Sequence, residues 1–266
     1  MKKLTEEKYI ELKRYLSDFD EAAVAFSGGV DSTLLLAVCN DCIDDVTAVT
    51  SISSSLARKE LACAEAFCKE RGIEIDLIET DEMNVDGYVS NPPDRCYYCK
   101  RNLFETIKSR YDVVFEGSNA DDASDYRPGA RAVEEMGIIS PLKEVGLTKA
   151  EIREISKELG LPTWDKPAMA CLASRIPYGD EITDERLKMI DESETYLKGL
   201  GFTQVRVRTH GKLARIEVLP EEMNKLLEYG SDIYEKLLNT GYEYVTLDVK
   251  GYRMGSMNEV LDNEQR

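Results

Sequence analysis

Apolar positions along the chain set the first expectations. Leu4, Tyr9, Ile10, Leu12 and Leu16 recur at helical spacing and predict an opening helix over residues 4–16. Ala22-Ala23-Val24-Ala25-Phe26 is instead an unbroken apolar run ended by Ser-Gly-Gly, which reads as a strand buried on both faces. A buried helix over 33–39, a strand over 46–50, a helix over 55–71 and a strand over 73–78 follow. A helix over 102–108, a fourth strand at 113–115 and a fifth at Ile138-Ile139, just before Pro141, extend the series. Apolar strands alternating with helix-length segments predict βαβ units, so residues 1–165 read as a doubly wound α/β domain with a parallel sheet. Thr148-Lys149-Ala150-Glu151 matches a capping box and opens a helix through Leu159, which Gly160 and Pro162 stop. The pattern then changes. A loop over 164–178 leads to a helix over 183–200, and two strands, 204–208 and 213–219, flank Thr209-His210-Gly211-Lys212. Helices to residue 238 and a strand over 244–249 complete the chain. A hairpin has no place in a purely parallel sheet, so residues 166–266 are expected to form a second, smaller α+β domain.

Composition narrows the chemistry. The 266 residues are 42% hydrophobic and 32% charged, a globular balance. With 34 Lys and Arg against 51 Asp and Glu, the formal charge of −17 argues against a nucleic-acid surface, which needs clustered cations to displace counterions. The single histidine, His210, removes HExxH and His-rich zinc sites. Met1-Lys2-Lys3-Leu4-Thr5-Glu6-Glu7-Lys8 carries no apolar run of the kind a signal peptide needs, and no stretch approaches ~20 apolar residues, so neither export nor a membrane partner is expected. A reducing, cytoplasmic setting follows, in which the seven cysteines read as thiols, ligands or nucleophiles rather than disulfides.

Phe26-Ser27-Gly28-Gly29-Val30-Asp31-Ser32 joins the first strand to a helix. Glycines allow a tight turn and close approach to an oxyanion, and the new helix offers unpaired N–H groups and its positive end. Ser27 and Ser32 add hydroxyl donors, and Asp31 can position a metal ion or stabilise the turn. No Lys follows as in GxxxxGK[ST], so this is not the loop of γ-phosphate-cleaving NTPases. The segment resembles the pyrophosphate (PP) loop of the N-type ATP pyrophosphatases, which include GMP, NAD and argininosuccinate synthetases and the tRNA thiolases. That resemblance implies ATP cleaved between its α and β phosphates, with AMP passed to a carboxylate or carbonyl oxygen. Ser51, near the end of the second strand, lies where an open α/β sheet binds nucleotide. Gly117 and Asp121, in Glu116-Gly117-Ser118-Asn119-Ala120-Asp121-Asp122 after the fourth, fall in a segment that resembles the Gly-Thr/Ser acidic stretch lining the active site of these synthetases. Asp121, Asp122 and Asp125 are candidate Mg²⁺ carboxylates beside the phosphates; a solvated acidic turn is the plain alternative.

The cysteines form two groups. Cys39, Cys42, Cys63 and Cys68 sit among Ala, Leu, Val and Phe and read as small hydrophobes. Arg95-Cys96-Tyr97-Tyr98-Cys99-Lys100 follows the Pro-rich Asn91-Pro92-Pro93-Asp94 at the start of a helix, where a cation and the helix end favour thiolate. Cys171 lies in another loop, again beside a cation. Three thiolates suit a 4Fe-4S cluster with one open iron, whereas structural zinc wants four closed ligands. Pro167-Ala168-Met169-Ala170-Cys171-Leu172-Ala173-Ser174-Arg175-Ile176-Pro177-Tyr178-Gly179, the PP loop upstream and Gly251-Tyr252-Arg253-Met254-Gly255-Ser256-Met257-Asn258-Glu259 together resemble the LarE family over essentially the whole chain. That resemblance implies an ATP-dependent sulfur transferase for a nickel-pincer nucleotide cofactor, which adenylates a carboxylate of a pyridinium dicarboxylate mononucleotide and converts it to a thiocarboxylate. It implies catalytic roles for Cys171, Asp31, Ser174 and Arg175, nucleotide binding by the loop from Phe26 to Ser32, and a homo-oligomer. In some members the equivalent of Cys171 surrenders its own sulfur and becomes dehydroalanine. Others carry two further cysteines and a 4Fe-4S cluster, and Cys96 and Cys99 match that second pattern, with sulfide or another sulfur donor reloading the cluster.

Arg206 and Arg208 alternate along one predicted strand and share a face, where both could grip a substrate phosphate; a solvated face is the alternative. The resemblance adds Arg253 and Glu194 as substrate contacts. Three rivals remain. A tRNA thiolase shares the loop and often three cysteines but calls for a basic RNA-binding region. An ammonia-using synthetase leaves the three cysteines idle. A nucleotide-binding iron–sulfur sensor would release no pyrophosphate.

Overall fold

The computed structural model describes residues 2–124, 128–167, 170–253 and 255–260, which fall into two compact units. One comprises Met1–Glu82 and Cys96–Met169, the other Met83–Arg95 and Ala170–Arg266.

The first unit runs α1 (Lys3–Leu16), β1 (Glu21–Ala25), α2 (Val30–Cys42), β2 (Asp45–Ile52), α3 (Arg58–Arg71), β3 (Glu74–Glu79), α4 (Arg95–Lys108), β4 (Val114–Phe115), α5 (Pro128–Glu135), α6 (Pro141–Glu144) and α7 (Lys149–Glu158). Its four strands pair in parallel in the order β3-β2-β1-β4, with Val24 opposite both Ala48 and Phe115. The doubly wound expectation holds because these strands are short, apolar and separated by helices that cover the faces. Leu34, Leu35, Leu36 and Val38 of α2 are fully buried, as a helix packed on all sides requires. The expected fifth strand is a single parallel bridge from Ile139 to Phe115. Pro141 lacks an N–H and opens α6, so pairing stops there. Helix α4 begins at Arg95, the helix start expected after the Pro-rich run and seven residues before the apolar spacing implies, and Tyr97, Phe104 and Ile107 line its buried side. The charged and aromatic residues between them hide that spacing. The capping box is present: Thr148 Oγ1 accepts from Glu151 N, and the Glu151 carboxylate accepts from Thr148 N.

The second unit contains α8 (Asp184–Gly199), β5 (Val205–His210), β6 (Leu213–Val218), α9 (Met223–Glu228), α10 (Gly230–Thr240) and β7 (Tyr244–Leu247). β5 and β6 form the expected hairpin around Gly211-Lys212, and β7 pairs in parallel with β6 after the crossover through α9 and α10. The excursion Met83–Arg95 packs into this unit, where Ile182 N donates to Val89 O at 2.9 Å. Leu172–Arg175, expected as loop, is a 3₁₀ turn. Among the described residues no helix is long and apolar enough to cross a membrane.

Candidate active site

Because the strands of the first unit are parallel, the carboxyl ends of β1, β2 and β4 lie on one edge of the sheet. The turn from β1 into α2 sits there. Phe26 N donates to Val49 O at 2.8 Å and Phe26 O accepts from Thr50 Oγ1 at 2.8 Å, so sheet pairing anchors the turn up to its first glycine. Gly28 then adopts φ +67°, a conformation that costs a side-chain-bearing residue ~1 kcal/mol or more. Gly29 caps α2 without any side-chain partner, which leaves the first N–H groups of the helix for a ligand. Ser27 Oγ and Ser32 Oγ are 3.1 Å apart inside the turn. Gly117, at the end of β4, is the point of closest approach: a Cβ there would lie 3.0 Å from Ser32 N and 3.3 Å from Ser32 Cα. Its lack of a side chain makes room for the start of α2.

Two lysines outside the sequence-derived set organise this edge. Lys149 Nζ lies 2.5 Å from Asp31 Oδ2 and Lys149 N donates to Asp121 Oδ2 at 2.8 Å. Asp31 and Asp121 are thus brought together through one residue. Asp31 Oδ1 is buried with no hydrogen-bond partner among the described residues, an orphaned acceptor beside the proposed phosphate position. Lys166 Nζ donates to Gly28 O at 2.9 Å and pairs with Glu60 at 2.5 Å, holding the turn from outside. A trace of Lys149 was available in sequence, since a cation at the first position of a helix opposes the dipole unless paired; Lys166 left none. Asp122 Oδ2 accepts from Asn119 N, and Asp125 lies outside the described residues. Ser51 Oγ bonds Thr80 Oγ1 at the ends of β2 and β3. Burial pushes the Glu116 carboxyl up, but Lys100, Ser118 and Ser140 outweigh it and hold it below the usual carboxylate range.

The thiols divide between the units. Cys96 and Cys99 occupy the first turn of α4, three residues apart on one side; Cys96 is exposed and Cys99 donates to Glu82 Oε1 at 3.2 Å. Cys171, also exposed, precedes the 3₁₀ turn of the second unit. Cys39 and Cys68 are buried in the core, and burial pushes the Cys68 thiol up to about 11. Among the described residues no group of three or more His, Cys, Asp or Glu forms a ready-made metal cage.

The second unit buries a cationic cluster. Arg175 Nε and Nη2 bind the two oxygens of Glu194 at 2.8 and 2.9 Å, and Glu194 Oε1 also accepts from Val207 N. Burial raises the Glu194 carboxyl, yet Arg175, with Arg206 and Lys198, holds it below the usual range. Arg208 Nη2 bonds Glu217 at 2.8 Å and Ser256 Oγ at 2.9 Å. Arg206 stacks over Tyr252, and burial together with the Arg175 charge pushes its guanidinium down. Arg206 and Arg208 are only 3% and 5% exposed, which overturns the solvated-face alternative. Arg208 Nε is buried without a hydrogen-bond partner among the described residues, a donor that an anion could satisfy. Ser174 Oγ donates to Cys171 O at 2.8 Å. Arg253 stands further out, paired with Glu259 and Asp248.

Comparison with known proteins decides the family. The chain is 44% identical over 266 residues to an uncharacterised protein of Synechocystis sp., covering 97% of this chain and 99% of that one. It is 35% identical over 257 residues to the pyridinium-3,5-bisthiocarboxylic acid mononucleotide synthase of Lactiplantibacillus plantarum, covering 94% of this chain and 93% of that one. The chain belongs to the LarE family. More distantly, it is 25% identical over 218 residues to a component of the glutamine-hydrolysing GMP synthase of Methanocaldococcus jannaschii, covering 74% of this chain and 69% of that one. The family model described as queuosine biosynthesis protein QueC matches residues 21–89, from β1 past β3. As a LarE-family member with a PP-loop α/β unit, the protein is an ATP-dependent sulfurtransferase that uses Mg²⁺.

Proposed function

We propose that this protein adenylates a carboxylate of a pyridinium dicarboxylate mononucleotide and replaces the activated oxygen with sulfur, in the making of a nickel-pincer nucleotide. The observation that carries the reading is the relationship to the L. plantarum synthase along 94% of the chain. In the first step a carboxylate oxygen attacks the α-phosphorus of ATP, the α–β bridge breaks, and pyrophosphate leaves. In the second a sulfur nucleophile attacks the acyl carbon and AMP departs, leaving a thiocarboxylate. Residues 1–165 do the nucleotide work: Ser27, Gly28, Gly29 and Ser32 cradle the phosphates, and Asp31 and Asp121 hold Mg²⁺. Residues 166–266 hold the mononucleotide, with Arg206, Arg208 and Arg253 on its anionic groups and the Arg175–Glu194 pair beneath Cys171. The burial of Arg206 and Arg208 in a chain of charge −17, with Arg208 Nε lacking a hydrogen-bond partner among the described residues, supports that assignment.

We assign Cys96, Cys99 and Cys171 as ligands of a 4Fe-4S cluster. Their chemistry fits: none of the three is in a disulfide, Cys96 and Cys171 are exposed, and Cys96 and Cys99 lie three residues apart on one helical turn. When bound, the cluster supplies sulfur that an external donor such as sulfide can replenish. The protein then works repeatedly, in the cytoplasm and as a homo-oligomer. A second reading has Cys171 surrender its own sulfur; the exposure of that thiol favours it. One anaerobic experiment separates the two. Reconstituted protein should bind ~4 Fe per chain and, with ATP, the mononucleotide and sulfide, release pyrophosphate and form thiocarboxylate over many turnovers with Cys171 intact. Failure to bind iron, or loss of the elements of H₂S from Cys171 after one turnover, overturns the cluster. No pyrophosphate release overturns the function itself.

A further inference from the structure

Asn91 is fully buried and, at φ +52°, is the one non-glycine residue among those described with a positive φ. That conformation costs ~1 kcal/mol even for asparagine, so the surroundings must repay it. They do so through the turn that carries Cys171. Asn91 Nδ2 donates to Pro177 O at 2.7 Å and to Ile176 O at 3.2 Å, while Asn91 O accepts from Gly179 N at 2.9 Å. The Asn91 side-chain oxygen accepts from Arg95 Nη1, and the same nitrogen donates to Ala173 O at 3.2 Å. Arg95 is 4% exposed and lies over the Tyr178 ring. Arg175 Nη1 takes the carbonyls of Ala170 and Cys171 at 2.6 and 2.9 Å, and Arg208 Nη1 takes that of Ser174 at 3.0 Å. The carbonyls of six residues between 170 and 177 are therefore held by buried guanidinium or amide groups. The Cys171 thiol itself stays exposed.

We infer that Asn91 and Arg95 are positioning residues for sulfur transfer: they clamp the Cys171 turn so that its thiol is presented in one orientation. A loop of this length held only by its own short 3₁₀ turn would sample many backbone states. An inserted segment from another part of the chain removes that freedom through main-chain contacts, which are indifferent to the side chains displayed. Arg95 is also the residue bonded to Cys96, so the clamp and the CxxC thiols share one stretch of chain. This inference rests on the proposed sulfur-transfer reading.

The test uses the full chain with Asn91→Gly, which keeps the positive φ but loses the amide, and with Arg95→Lys and Arg95→Met. Hydrogen exchange in metal-free protein should speed up ~10-fold or more in the 172–179 segment, with α8 and β5 unchanged. In turnover, pyrophosphate release and the ATP KM should stay within about 2-fold of wild type while thiocarboxylate formation falls ~10-fold or more. Arg95→Lys should be milder than Arg95→Met. Wild-type exchange in 172–179, or an unchanged ratio of thiocarboxylate to pyrophosphate, overturns the inference. So does protection lost equally across α8 and β5, since the contact would then serve the whole unit. If wild-type protein releases no pyrophosphate, the functional reading fails, while the exchange pattern still tests the clamp.

Discussion

Lys149 donates twice at the edge where the PP loop lies, to Asp31 through its ammonium and to Asp121 through its backbone. The backbone contact survives any substitution but proline; the ammonium does not. Lys149→Met should therefore leave folding nearly intact and raise the ATP KM by ~10-fold, because two carboxylates would face the phosphates with one fewer cation between them. Steady-state kinetics at varied ATP check this, and an unchanged KM counts against a role for Lys149 at the phosphates. The Arg175–Glu194 pair behaves differently because both partners are nearly inaccessible. Glu194→Gln leaves a buried guanidinium with its charge uncompensated, and should cost ~3–5 kcal/mol of stability. A urea midpoint close to that of wild type would contradict the pairing described.

At the scale of elements, the contact between β4 and α2 governs the nucleotide site. A methyl group at residue 117 would meet backbone atoms of Ser32 and Asp31 at 3.0–3.4 Å, and backbone cannot swing aside as a flexible side chain does. Gly117→Ala should push the first turn of α2 away from the loop, raising the ATP KM ~10-fold and lowering Tm by a few degrees. A crystal structure of the variant should place the displacement at Ser32; wild-type geometry and kinetics together would remove the argument. Helix α4 makes a separate point. Because it starts at Arg95, Cys96 and Cys99 are neighbours on one helical turn. Cys96→Ser and Cys99→Ser should each abolish iron retention while sparing ATP-dependent pyrophosphate release, measured in the same preparation.

For the molecule as a whole, pH is a probe of these buried charges. Glu116, Glu151 and Glu194 all have carboxyl groups held below their ordinary value of 4.5, in each case against the upward push of burial. A depressed carboxyl binds fewer protons folded than unfolded, so it stabilises the fold above its unfolded pKa. That contribution is lost as pH falls from about 4.5 through the lower folded values. Urea midpoints should hence be steady from about pH 7 to 5 and fall steeply below pH 4.5, with a shallower fall in Glu116→Gln. A slope unaltered by that substitution would show that Lys100, Ser118 and Ser140 do not stabilise the charge. The alternating strands and helices, the PP loop, the capping box at Thr148 and the hairpin at Gly211 were legible because each depends on neighbours within a few residues, where periodicity, glycine and hydrogen-bonding side chains act locally. The shrinkage of the fifth strand to one bridge, the Lys149 and Lys166 contacts, and the carbonyl clamp by Asn91 and Arg95 were not. Most of those pair residues dozens to more than a hundred positions apart, and a guanidinium or amide that binds main-chain carbonyls leaves no mark in the identity of the residues it holds. What the chain settled alone was its local geometry and the kind of chemistry; which charges are buried together, and which backbone they hold in place, was decided only by folding.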